Sequence, residues 1–356
     1  MRAIRTLMAC MLLLGIANFT YADQVILKNG DIISGKVITK SGGILTFNTS
    51  YAGDIKINWK DISTLSTDKP VATLLEDNSY LNTSLLPAER GSVRVTLHEP
   101  GDNRYIDKDH EAIENQSYGL NDILYINPKP EESGRGYRYS GRANFAFNNT
   151  SGNSSNEQWH LDAELQKRAK AYRYTLGGEG NRSSDNHVRS VSNSRLYASY
   201  DSFYTKTDFL YVHGALENDR FKDVQLRSVA GAGYGYQVYE TETTKLSLKG
   251  GPDLVSVNRY VAESENFAAL GWHIDFNHKL TRFPSFPVEI FHVQDGYRGF
   301  DSDGDILLKT RTGMRIPLRQ GFVATAQYNF DWEKNPAPGR RNSDRQVLLG
   351  IGYMFQ

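Results

Sequence analysis

Residues 137–148 read Tyr-Arg-Tyr-Ser-Gly-Arg-Ala-Asn-Phe-Ala-Phe-Asn. Tyr137, Tyr139, Ala143, Phe145 and Phe147 share one parity, and Arg138, Ser140, Arg142, Asn144 and Asn148 share the other. Successive side chains of a strand point to opposite faces, so this stretch encodes a strand with one apolar and one strongly polar face. The pattern recurs downstream. Trp159, Leu161, Ala163 and Leu165 oppose His160, Asp162, Glu164 and Gln166. Ala268, Leu270, Trp272, Ile274 and Phe276 oppose His273, Asp275 and Asn277, and Phe322 to Trp332 repeats the theme against Thr325 to Glu333.

About twelve such runs of roughly ten residues, an even number, lie between Tyr137 and Gln356, as a closed membrane barrel requires. They fall near 137–148, 157–168, 171–181, 189–201, 206–217, 225–239, 243–257, 267–278, 286–297, 304–316, 321–333 and 345–356. The odd-numbered spacers, such as NNTSGNSSNE and EKNPAPGRRNSD, are polar and generally longer than even ones around Ala169-Lys170 or Leu318-Arg319-Gln320. A soluble sandwich alternates too, but its strands average about 5–6 residues, half the length seen here. The expected fold is all-β: a C-terminal transmembrane antiparallel barrel over 137–356, preceded by small periplasmic β-barrel modules. The abundance of Tyr (21) and Phe (16) fits that class.

The N-terminus gives the compartment. Arg2 and Arg5 precede a short apolar run, Leu7 to Ile16, and Thr20-Tyr21-Ala22 offers a small-residue cleavage site. This is the layout of a secretory signal peptide over 1–22, too short to span a bilayer. Cys10 lies inside the run, and Leu7-Met8-Ala9-Cys10 faintly matches a lipobox; cleavage after Ala22 is preferred because cleavage at Cys10 strands Met11 to Ile16 as an apolar tail. A mature chain starting after Ala22 has no cysteine, hence neither disulfide nor thiolate metal site.

Residues 23–127 carry short strand-like segments. VILKNGDIISGKVI (25–38) aligns with TLLEDNSYLNTSLL (73–86), and WKDISTLSTDKP (59–70) with LNDILYINPKP (120–130). Two related modules of SH3-like or Sm-like size are expected, 23–70 and 71–127, the second with a charged insertion over 98–116. A Pro/Glu/Gly-rich linker, 128–136, follows.

The chain ends RQVLLGIGYMFQ, with Tyr353 and Phe355 on the apolar parity. This resembles the C-terminal strand by which outer-membrane proteins are handed to the barrel assembly machinery, although Gln356 follows the aromatic. With VILKNGDIISGKV, WKDISTL and LLGIGYMF, the layout resembles a bacterial family, domain of unknown function 481, described as salt-induced outer membrane proteins. The resemblance implies an outer-membrane barrel and brings no assigned activity.

The expected lumen face carries Arg138, Arg142, Asp162, Glu164, Arg173, Lys309, Arg311, Arg315, Asp331 and Glu333, joined by Glu179, Lys245, Lys249, Asp275 and Glu289. Opposite charges around a ring of intermediate size imply a narrow, hydrated interior. Catalysis is not expected. The pairs His160/Asp162 and His273/Asp275 sit i, i+2 on one face and could couple, but filling the lumen with salt bridges and hydrogen bonds is the preferred reading, and no His-x-Ser arrangement of the kind seen in barrel phospholipases is present. Asp301, Asp303 and Asp305 form an acidic loop whose EF-hand closing position is Thr312 rather than glutamate, so no metal site is expected. No cofactor is expected. With no net charge and no basic aromatic stripe, no nucleic-acid partner is expected either. The expected partners are outer-membrane lipid and lipopolysaccharide, the assembly machinery, and a periplasmic protein or cell-wall component for residues 23–127. The function expected is a narrow channel or an envelope-integrity component; a lipid or lipopolysaccharide hydrolase and a surface adhesion protein are the alternatives.

Overall fold

The computed structural model describes residues 22–77, 79–97, 116–150, 155–241, 243–280, 288–300 and 304–355. The expected signal segment (1–21), most of the charged insertion, and Asp301 and Asp303 lie outside the described residues. The chain divides into two units, at Ser133/Gly134.

The first unit is built twice on one plan. Its first half comprises β1 (Asp23–Leu27), β2 (Ile32–Ser41), β3 (Ile44–Thr49), β4 (Gly53–Asn58), a 3₁₀ turn at Trp59–Asp61 and β5 (Ile62–Ser66). The second comprises β6 (Val71–Leu75), β7 (Tyr80–Pro87), β8 (Ser92–Leu97), β9 (Ser117–Gly119), a 3₁₀ turn at Leu120–Asp122 and β10 (Ile123–Ile126). Within each half consecutive strands pair as hairpins up to the fourth, and the fifth returns to pair antiparallel with the first.

The halves are also interlocked. β10 lies against β2 through Ile126 and Lys40, while Thr67, just after β5, bonds both ways with Leu85 on β7 at 2.8 and 2.9 Å. The last strand of each half thus rests on the second strand of the other. The two segments expected as separate modules share one buried cluster, from Val25, Leu45 and Phe47 to Leu85, Ile123 and Ile126. The expected linker is shorter than its composition implied. Its first part forms a helical turn, Pro130–Ser133, held to the unit by a 2.5 Å bond from Ser41 Oγ to Glu132.

The second unit is a closed barrel of twelve antiparallel strands. They are β11 (Arg138–Thr150), β12 (Asn156–Arg168), β13 (Tyr172–Asp185), β14 (Val188–Phe203), β15 (Asp208–Asp219), β16 (Val224–Glu240), β17 (Thr244–Arg259), β18 (Glu265–Leu280), β19 (Val288–Gly299), β20 (Ile306–Pro317), β21 (Phe322–Glu333) and β22 (Ser343–Phe355). Each neighbours the next, and β22 closes on β11 through Gly141↔Phe355 to Phe145↔Ile351. This five-residue ladder joins the last strand to the first, so along the closed ring the backbone can cross hydrocarbon with its polar groups paired.

The outward face is apolar: Phe145, Leu161, Leu176, Leu196, Val212, Leu254 and Leu349 are all exposed. Aromatics gather toward the rims, and Lys167 reaches out over the Tyr137 ring at 4.0 Å, an ammonium snorkelling through an interfacial girdle. The polar spacer expected between the third and fourth runs, NRSSDNHV (181–188), proves to be largely strand. Its β13 and β14 portions are joined by Asn186 and His187 with φ of 46° and 67°. Two consecutive positive φ values are what a tight two-residue hairpin turn demands. The length contrast between odd and even connections is therefore smaller than the spacing of apolar runs implied.

Candidate functional site in the barrel lumen

Inward parity places charge inside, and burial makes each charge seek a partner. At the end where the chain enters and leaves the barrel, Asp201 is clamped by Arg173 Nε and Lys249 Nζ, each at 2.7 Å. Arg173 also donates to Gln237 at 2.7 Å, and Arg168 reaches Glu240 at 3.0 Å from four strands away. Arg142 pairs with Asp162 at 2.7 Å on the neighbouring strand and more loosely with Glu164, which accepts from Tyr197 at 2.7 Å. Arg315 pairs with Glu289 at 2.7 Å.

Four pairs span the lumen itself. Arg195 meets Asp295 at 3.0 Å, Arg227 meets Glu333 at 2.6 Å, Lys309 meets Glu217 at 2.9 Å and Arg311 meets Glu179 at 2.9 Å. Each joins strands five places apart in the twelve-strand ring, close to the widest separation available. They are linked as well: Glu217 contacts both Arg227 and Lys309, and Asp331 contacts both Lys309 and Arg311. Glu333, Arg227, Glu217, Lys309, Asp331, Arg311 and Glu179 thus form one unbroken chain of alternating charge. What stays open is a cavity of about 260 Å³. That is room for a file of waters or small ions.

The charges are unevenly distributed along the axis. Arg138, Arg168, Arg173, Lys245, Lys279 and Arg315 gather toward the end holding the first residues of β11 and the last of β22. Glu217, Asp219, Glu265, Asp331, Glu333 and Asp344 gather toward the opposite end. Lys245 is close enough to both Arg138 and Lys279 to be repelled by them.

Nine of the ten lumen residues expected from sequence join these ion pairs, and Arg138 sits half-buried at the start of β11. Asp201, Arg195, Glu217, Arg227 and Asp295 were not singled out. Their parity signal existed: Arg195, Tyr197, Ser199 and Asp201 oppose Leu196, Ala198 and Tyr200. Register shifts between β15 and β16 and between β16 and β17 obscured it for Glu217 and Arg227.

The histidines are arranged differently from the sequence pairs. His160 does meet Asp162 at 3.0 Å, with Asn181 at 2.6 Å on its other nitrogen. His273 turns to Asp295 at 2.6 Å instead of Asp275, because the carboxylate directly across the β18–β19 ladder is nearer than one on its own strand. His213 pairs with Asp253 at 2.9 Å, whose carboxylate fills the space a side chain at Gly231 or Gly271 would need. Among the described residues no hydroxyl bonds to these three imidazoles, and no His/Asp/Glu group is disposed to hold a metal. Asp305, the described member of the acidic loop, accepts from the Asn335 amide at 3.3 Å. Tyr353 and Phe355 face outward beside the β11–β22 seam.

A family model described as "Protein of unknown function, DUF481" matches residues 143–355. No curated protein matches the sequence. Among solved structures, the NanC porin in a rhombohedral crystal form is 7% identical with a TM-score of 0.38, over 60% of this chain and 98% of that one. The translocator domain of the autotransporter NalP from Neisseria meningitidis is 14% identical with a TM-score of 0.32, over 62% and 89%. The beta domain of the Bordetella autotransporter BrkA is 12% identical with a TM-score of 0.30, over 62% and 98%.

Proposed function

The chain belongs to the DUF481 family, and from that premise we propose that it is a narrow channel of the Gram-negative outer membrane, barred at rest by the ion pairs that cross its lumen. The observation that carries this reading is the run of cross-lumen pairs, among them Arg227–Glu333 at 2.6 Å and Lys309–Glu217 at 2.9 Å. Paired charges held five strands apart act as struts: they stabilise the closed lumen and leave only a small hydrated space. Screening or breaking the struts frees their side chains to swing toward the walls. In this reading the first unit binds an envelope component on the periplasmic side, and the lumen histidines are partners of carboxylates with no hydrolytic role.

Reconstitution into planar bilayers tests the proposal. The native protein is expected to pass small currents, well below those of an open porin. Arg227→Ala combined with Glu333→Gln is expected to raise conductance. A native conductance of open-porin size, or currents unmoved by the double substitution, would overturn it.

A further inference from the structure

A lipid-facing wall stays apolar through the middle of the membrane, because polar groups there have no water to bond. Most of this barrel obeys. The centres of the outward faces are Ala163 on β12, Leu176 on β13, Ala198 on β14, Val212 on β15 and Trp272 on β18, while Glu157, Arg182, Asn218 and Arg298 stand near strand ends.

β19 and β20 break the rule. His292 and Gln294 are the fifth and seventh residues of twelve on β19, and Thr310 and Thr312 hold the same places among the twelve of β20. Phe291, Val293, Asp295, Lys309 and Arg311 line the lumen cavity, so the residues alternating with them face out. Register sets His292 opposite Thr312 and Gln294 opposite Thr310, making one polar island at mid-wall. Apolar neighbours surround it: Ile274 and Phe276 on one side, Tyr328 and Phe330 on the other.

The chain satisfies only part of this island. His292 Nδ1 and Thr312 Oγ1 bond at 2.7 Å, and Thr310 Oγ1 donates to the Phe330 carbonyl at 3.3 Å. Among the described residues, the Gln294 carboxamide and His292 Nε2 have no partner. Lipid headgroups lie half a hydrocarbon thickness away, so the missing partners must come from protein. The island carries no formal charge to match a charged partner. Its carboxamide both donates and accepts, which is the self-complementarity a two-fold contact between identical surfaces requires.

We infer that β19 and β20 form the face on which a second copy of this chain docks within the membrane. The two Gln294 carboxamides exchange hydrogen bonds across a two-fold axis, with His292 and Thr312 beside them. The inference needs the barrel to cross a membrane and is independent of whether the lumen conducts.

Two measurements on the full chain test it, each with folding checked by heat-modifiable gel mobility. In a Cys10→Ser background, Gln294→Cys oxidised in native membranes is expected to give at least about tenfold more disulfide-linked dimer than Leu161→Cys on a distant part of the wall. In detergent, His292→Leu with Gln294→Leu is expected to sediment as monomer where the native chain sediments as dimer. Crosslinking no greater than the Leu161→Cys control, capture of a different protein by Gln294→Cys, or identical sedimentation of native and doubly substituted chains would each overturn the inference.

Discussion

Arg227 on β16 and Glu333 on β21 meet at 2.6 Å across the lumen, both almost fully shielded from solvent. A charge so enclosed depends on its partner: removing one member of a buried pair costs more than the pair itself contributes. Arg227→Ala leaves Glu333 without its cation and Glu217 with Lys309 alone. The substitution is expected to destabilise the barrel by about 3 kcal/mol, and adding Glu333→Gln to recover part of that loss. Urea unfolding in lipid vesicles measures both; equal stability of native and Arg227→Ala barrels would show that water holds Glu333.

The seam offers a second test. A side chain on Gly141 would place its Cβ 2.6 Å from the Phe355 ring, where β11 and β22 close the barrel. Gly141→Ala is expected to lower the fraction of chain reaching the heat-modifiable folded form. Trimming the ring by Phe355→Ala in the same chain should relieve the clash, giving a favourable coupling in the double-mutant cycle. Strictly additive losses would mean that the ring is free to move aside.

In the first unit, the Trp59 indole nitrogen donates to the Leu120 carbonyl at 2.8 Å, joining the equivalent 3₁₀ turns of the two halves. Because both halves feed one core, residues 23–133 are expected to unfold in a single cooperative step, and residues 23–70 alone to remain unfolded. Trp59→Phe should cost about 1 kcal/mol through loss of that bond. Chemical denaturation followed by circular dichroism settles each point; a cooperative transition in 23–70 would separate the halves. A chain lacking residues 23–130 should still reach the heat-modifiable form.

Lys40 gives the first unit a pH signature. Its ammonium bonds the Ile123 and Leu124 carbonyls and lies 5.0 Å from the Trp59 ring centre, and burial holds its pKa below the ordinary lysine value. Below the folded value both states are charged, and the burial penalty acts in full. As pH climbs between the folded value and the ordinary one near about 10.4, the folded unit yields its proton first and the penalty fades. The native unit should therefore gain stability relative to Lys40→Met between neutral pH and about pH 10. A difference that does not change with pH would refute the assignment.

The strands were legible because alternation is local: Tyr137 to Asn148 specifies its two faces without reference to any other residue. Even the faint duplication was informative, since Val25 to Ile38 and Thr73 to Leu86 occupy equivalent strands. The pairing of charges was not legible. Whether Arg311 meets Glu179 depends on strand tilt and register, which closure of the whole ring determines. His273 choosing Asp295 over Asp275 has the same origin. The polar island escaped notice because Gln294 and Thr310 are unremarkable singly; only the ladder makes them neighbours.

The uneven placement of basic and acidic side chains gives the lumen an electrical direction. At the mouth where β11 begins and β22 ends, Arg138, Lys245 and Lys279 add positive charge to the pairs of Asp201, Glu240 and Glu289, while at the other Asp219, Glu265 and Asp344 add negative charge to the pairs of Arg227 and Lys309. The same ion therefore meets a different local charge at each mouth. If the lumen conducts as proposed, the two directions of flow face different barriers, and the easy direction follows from the way the barrel is inserted.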